Sequence, residues 1–115
     1  MRFDEFWSRA IAHLKNYIDH ERSRREARLF VSSWHLGKGF TDEKFPVRDV
    51  TPEKITCLTI HAGKAIDIPR TDMATLCSIW DEYVQGMISR LEIVEKIPRP
   101  LYAISLMKFL KESIN

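Results

Sequence analysis

Met73, Leu76, Cys77, Trp80, Tyr83, Val84 and Met87 recur at spacings of three and four, with polar residues between them. That rhythm puts them on one side of an α-helix over 71–84, around which the chain is organised. Thr71 or Asp72 is placed to cap it, and Gly86 to end it in a left-handed turn. A second helical rhythm runs through Phe3, Phe6, Trp7, Ala10, Ile11, Leu14, Tyr17 and Ile18. It predicts an amphipathic helix with Asp4 and Glu5 in its first turn, where the helix dipole favours acids.

Ser89-Arg90-Leu91-Glu92 reads as a capping box opening a short helix, with Leu91, Val94 and Ile97 as its apolar side. Pro98-Arg99-Pro100 stops it, and Pro100 suits the first turn of the next. That last helix, over 101–114, confines its polar residues to Ser105, Lys108, Lys111 and Glu112. A helix so apolar belongs at the centre of a fold or at a subunit interface.

The middle of the chain changes to strand rhythm. Residues 29–36 alternate, with Phe30, Ser32, Trp34 and Leu36 expected on one side. Gly37-Lys38-Gly39 reads as a loop; it lacks the rest of a phosphate-loop motif. A short strand is expected over 45–50, with Pro46 near its start or at an edge, and a turn at Thr51-Pro52-Glu53-Lys54. Residues 55–61 form the clearest strand; Ala62-Gly63-Lys64 turns the chain, and 65–68 return until Pro69. The prediction is an α+β domain spanning 1–115: a small antiparallel sheet of three to four strands, packed by an N-terminal amphipathic helix and three C-terminal helices.

Composition narrows the functional classes only modestly. The 115 residues carry 18 Lys and Arg against 16 Asp and Glu, a formal net charge of +2. A balance this even does not by itself indicate nucleic acid. No apolar run reaches the roughly 20 residues that span a bilayer, and the acidic start Met1-Arg2-Phe3-Asp4-Glu5 is unlike a signal peptide. The expected setting is the cytoplasm, with no membrane partner. Cys57 and Cys77 are then reduced core residues.

Candidate chemistry is sparse. His13, His20, His35, His61 and the two cysteines show no metal-ligand spacing, so neither metal nor cofactor is expected. Asp81 and Glu82 are adjacent on a helix and point about 100° apart, which does not suit an acid–base pair. Three readings remain open. In the first, the protein associates with itself, as a homodimer, or with another protein, through aromatic helix faces; the candidate interface residues are Phe3, Phe6, Trp7, Ile11, Tyr102 and Phe109. In the second, the last two helices form a helix-turn-helix on DNA. Its candidate phosphate and base contacts are Arg22, Arg24, Arg25, Arg28, Arg99 and Lys108, with Tyr102 and Ser105 on the same row. In the third, a polar-lined pocket near Trp80 takes a small molecule.

One further pattern spans 55–110. It comprises the Gly63-Lys64 turn, Ile68 four residues before Asp72, Trp80-Asp81-Glu82-Tyr83 followed by Gly86, Ser89, Arg90 and Glu92, and Tyr102-Ala103-Ile104-Ser105-Leu106. It resembles small bacterial proteins of the mobile gene pool, such as those carried by integron cassettes and phages. The resemblance implies a bacterial cytoplasmic setting and assigns no catalytic or ligand-binding residue.

Overall fold

A computed structural model describes residues 2–22 and 29–114, without the side chains of 19–22. The first helix, α1, runs over Phe3–Arg22. Four strands follow: β1 (Leu29–His35), β2 (Gly39–Thr51), β3 (Lys54–Leu58) and β4 (Ala65–Pro69). They form one antiparallel sheet in sequential order, with β1 and β4 at its edges. The helices α2 (Arg70–Val84), α3 (Arg90–Lys96) and α4 (Pro100–Ile114) complete the α+β fold.

The sheet has one apolar and one open face, as strand alternation dictates. Val31 and Phe45 pair across β1 and β2 on the apolar face, and Ile55–Ile68 and Cys57–Ile66 do so across β3 and β4; all six are buried. The open face carries Phe30, Lys44, Thr56 and Asp67. Helices α1, α2 and α4 share one continuous core with the apolar face.

The strand β2 is longer than its sequence announces, because residues 39–44 join it although the polar run Thr41-Asp42-Glu43-Lys44 reads as loop. Two irregularities make this workable. Between Ser32 and Trp34 the register of β2 shifts, leaving residues 41–43 opposite Ser33. Between Val47 and Asp49 a bulge at Arg48 changes the parity, so that Val50 returns to the core three residues after Val47. The expected grouping of Phe30, Ser32, Trp34 and Leu36 on one side is therefore corrected. Leu29, Val31, Ser33 and Trp34 are buried, whereas Phe30 stands 52% exposed and Leu36 is also outward.

The organising helix is present and its Met73, Leu76, Trp80 and Tyr83 are buried. Its wall is narrower than expected: Cys77 is half-buried, and Val84 and Met87 face solvent. Neither Thr71 nor Asp72 caps it, because the helix starts directly after Pro69, which holds the cap position without a side-chain bond. Its other end is a Schellman turn. Gly86 at φ +80° lets its N–H donate to the Tyr83 carbonyl at 3.0 Å, while the Met87 N–H reaches the Glu82 carbonyl at 2.8 Å.

In α3 the Ser89 hydroxyl accepts from the Glu92 N–H, as a capping box requires. Its inward residues are Ile93 and Ile97, not Leu91 and Val94, which face water. Helix α4 is central, lying along β1 and against α2 and α1. Its expected polar stripe is not a solvent face. Ser105 is wholly buried, and its hydroxyl accepts the Trp34 backbone N–H at 3.0 Å. The ammonium groups of Lys108 and Lys111 lie 5.0 and 4.9 Å from the ring centres of Trp34 and Phe6.

Replacing Ser105→Ala leaves a buried amide without an acceptor, which costs about 1–3 kcal/mol. Thermal unfolding should drop by roughly 5–15 °C, whereas Ser113→Ala on the exposed end of the same helix should leave it unchanged. On the open face, the Thr56 hydroxyl at 2.7 Å and the Lys54 ammonium at 3.1 Å hold the Asp67 carboxyl below the usual carboxylate range. A lowered folded-state pKa gives stability that is present above the unfolded value and lost as pH falls through the folded one. Asp67→Asn should therefore melt slightly below the unaltered protein at pH 7, and the gap should close near the acid limit.

Candidate functional site

The aromatic residues proposed for an interface mostly have partners inside the chain. Phe6 and Trp7 are buried, and the Trp7 indole N–H donates to the Pro52 carbonyl at 2.7 Å, fastening α1 to the β2–β3 turn. Phe3 stacks on Trp7 at 5.8 Å, and the Arg70 guanidinium lies 5.2 Å from the centre of the Phe3 ring; Arg70 also pairs with Asp4. Ile11 is half-buried against the core. The Tyr102 hydroxyl accepts the Ile60 N–H at 3.1 Å, and its ring meets Phe45 edge-on at 5.0 Å. The amphipathic faces that carry these residues are thus spent largely on the fold. Phe109 is half-buried too, packed on the core with its ring 6.1 Å from that of His13, and it also lines an open groove.

Three residues of the DNA-reading row have partners within the chain. Ser105 is under β1, Tyr102 is tied to Ile60, and Lys108 lies over Trp34 and pairs with Glu112 at 2.8 Å. The physical reason is that α4 turns this row toward the sheet. Arg99 is exposed. Arg24, Arg25 and Arg28, and the side chain of Arg22, lie outside the described residues.

The groove lies between the outer edge of β1 and the last turns of α4. It has a volume of about 200 Å³ and is lined by Phe30, Val31, Ser32, Phe40, Phe109, Glu112 and Ser113. Phe30 and Phe40 are each about half exposed, so the groove has an aromatic rim. The edge beside it also offers backbone. Trp34 turns its N–H away from β2, where Ser105 takes it. In the regular stretch before the register shift between Ser32 and Trp34, Phe30 lies opposite Pro46, which has no N–H to exchange, so Phe30 and Ser32, of one parity, turn their backbone groups away from β2. Composition alone misses this feature, because Phe30 and Phe40 resemble any other strand phenylalanines until the edge is known.

A second concavity of about 380 Å³ lies at the other end of β1, lined by His35, Leu36, Lys38, Tyr83, Gly86, Ile88, Ser89 and Arg90. Trp80 itself is buried, its ring 5.9 Å from Trp34 and 5.8 Å from Tyr83. The polar pocket considered near Trp80 therefore opens one helical turn away, at Tyr83.

Among the described residues no three His, Cys, Asp or Glu side chains converge as a metal site requires, and no helix is long and apolar enough to cross a membrane. His61 meets Glu43 at 3.0 Å on the surface. No protein-family model, curated protein or solved structure matches the chain.

Burial, with a smaller contribution from Asp67, pushes the Cys57 thiol up to about 12, so it lacks the thiolate that reactivity needs. In the native protein at pH 8, a water-soluble thiol reagent should leave Cys57 unmodified over hours. The same reagent should label both cysteines within minutes in denaturant, as peptide mapping would read.

Proposed function

We propose that this protein is a non-enzymatic interaction protein that associates with a second copy of itself through the outer edge of β1. The observation that carries the reading is the contrast between the two edges of the sheet. Natural edge strands are blunted by charge, proline or shortness. The strand β4 has all three: Asp67, Pro69 and only 5 residues. The strand β1, Leu-Phe-Val-Ser-Ser-Trp-His, is 7 residues long, holds neither lysine, acid nor proline, and borders the aromatic groove.

A second copy is the natural occupant of such an edge. Two antiparallel edges related by a two-fold axis present the same backbone pattern to one another, so one surface satisfies both partners. Phe30, Phe40 and Phe109 would cover one another across the axis. The exposed cluster Val84, Met87, Leu91 and Val94 offers apolar side chains without a strand edge, and ranks second for that reason. The setting in this reading is the bacterial cytoplasm, as the resemblance of 55–110 to mobile-element proteins implies.

Sedimentation equilibrium tests the reading. The expected dissociation constant is on the order of 10 µM. Phe30→Lys puts a charge at the two-fold and should leave a folded monomer, whereas Leu91→Lys should leave association unchanged. A protein that remains monomeric above roughly 300 µM overturns self-association. Loss of the dimer in Leu91→Lys alone would overturn the assignment to β1.

A further inference from the structure

We infer that the cleft between the β1–β2 turn and the α2–α3 connection binds a small phosphate monoester, with Lys38 and Arg90 holding the phosphate and Leu36, Tyr83 and Ile88 the organic body.

The charge of the cleft is its first argument. Its walls carry two permanent cations and no carboxylate. Neither Lys38 nor Arg90 forms an ion pair among the described residues, although the chain holds nearly as many acids as bases. Two cations facing one space suit a dianion; a single carboxylate would match only one of them. Arginine and lysine are also the side chains that phosphate oxygens select, one as a planar fork and one as a point charge.

Arg90 is held by its side chain and Lys38 by its backbone. The chain turns sharply at Gly37, φ +88°, and the Lys38 N–H donates to the His35 carbonyl at 3.0 Å, which fixes the base of the lysine. Arg90 Nη1 donates to His35 Nδ1 at 3.0 Å. A guanidinium has no lone pair to offer, so in this bond His35 is the acceptor and carries its ring proton on Nε2. Of the five donors of Arg90 this occupies one. The others remain for a ligand, and the His35 Nε2–H adds a neutral donor. The Ser89 hydroxyl already accepts from Glu92 but retains its own proton to give.

The organic body follows from the walls. A volume of about 380 Å³ lies within the range of small-molecule pockets and exceeds a bare oxyanion. Leu36 and Ile88 supply apolar wall, and Tyr83 is buried with its ring fixed against Trp80 at 5.8 Å. Burial raises the Tyr83 phenol above its ordinary range, partly offset by the charge of Arg90, so it stays a neutral donor near pH 7. Inorganic phosphate would leave these walls wet, and an ester with a small ring or chain would cover them.

Titration of the whole protein with phenyl phosphate, followed by tryptophan fluorescence and calorimetry, tests the inference. Saturable binding is expected with a dissociation constant on the order of 0.1–1 mM. Inorganic phosphate and benzoate should each bind about tenfold more weakly. Arg90→Gln and Lys38→Gln should each weaken phenyl phosphate about tenfold or more with an unchanged circular dichroism spectrum. Lys44→Gln, on the open face of the sheet, should change nothing. Because Lys38 sits on an exposed turn, its variant tests the site even where Arg90→Gln disturbs α3. The Phe30→Lys monomer should bind phenyl phosphate normally, which separates this test from that of self-association. No saturable signal up to about 20 mM overturns the inference. So does binding that ignores both substitutions, or displacement of phenyl phosphate from these residues by a short DNA duplex at far lower concentration, which would assign the cleft to a polynucleotide.

Discussion

One buried hydroxyl ties the two halves of this molecule together. Ser105, in the middle of α4, accepts the backbone N–H of Trp34 on the outer edge of β1. An edge amide buried against an apolar helix would otherwise lack a partner, at a cost comparable to the gain from packing a large side chain. Serine at this point satisfies it and is small enough to let helix and strand approach. The consequences spread along β1 in both directions. The Trp34 ring is seated against Trp80 and beneath Lys108. One residue on, His35 meets Arg90, which fixes one wall of the cleft. Four residues back, Phe30 stays outside and lines the groove.

The helices were largely legible in the sequence because each has enough turns for its apolar rhythm to be unambiguous. Phe6, Trp7, Ala10, Leu14 and Ile18 are all buried, as their spacing requires. Helix α3 shows where that logic weakens. Over seven residues, Leu91-Val94-Ile97 and Ile93-Ile97 both fit helical spacing, and Ile97 belongs to both. Packing against α2 decides for the second set, leaving Leu91 77% exposed. The start of α2 departs from the expected cap for a different reason. Pro69 pre-sets its own backbone, so the helix can begin at once and needs neither Thr71 nor Asp72 as a cap.

The sheet was less legible, since alternation can be read only while parity is kept. Two register shifts in β2 break it, one opposite Ser33 and one at Arg48. The polar stretch 41–44 therefore belongs to a strand although nothing in its composition says so, and of Trp34 and Phe30, expected on one side, the first is buried and the second exposed. The candidate sites inherit this difficulty. Counting aromatic residues pointed to Phe3, Phe6 and Trp7, which are engaged by Arg70, Lys111 and Pro52. What distinguishes Phe30, Phe40 and Phe109 is position beside the part of the β1 edge that borders the groove, a property of topology. His35, Lys38 and Arg90 stand 55 residues apart at their extremes, and only the β1–β2 turn and the Schellman turn after α2 bring them to one cleft.

Both concavities lie on β1, which raises the question of whether one occupant would sense the other. Coupling between sites needs an element with two arrangements that both sites bias. The stretch of β1 between them is the least suited part of the molecule for that role. Trp34 is packed between α2 and α4, its amide is held by Ser105, and Ser33 is buried with its hydroxyl bonded to Thr41. A strand pinned on both its side chains and its backbone transmits little displacement from one end to the other. Ligand at the cleft and a second copy at the groove should then add their stabilising effects independently, each by its own mass action. The same anchor that creates the two sites keeps them separate.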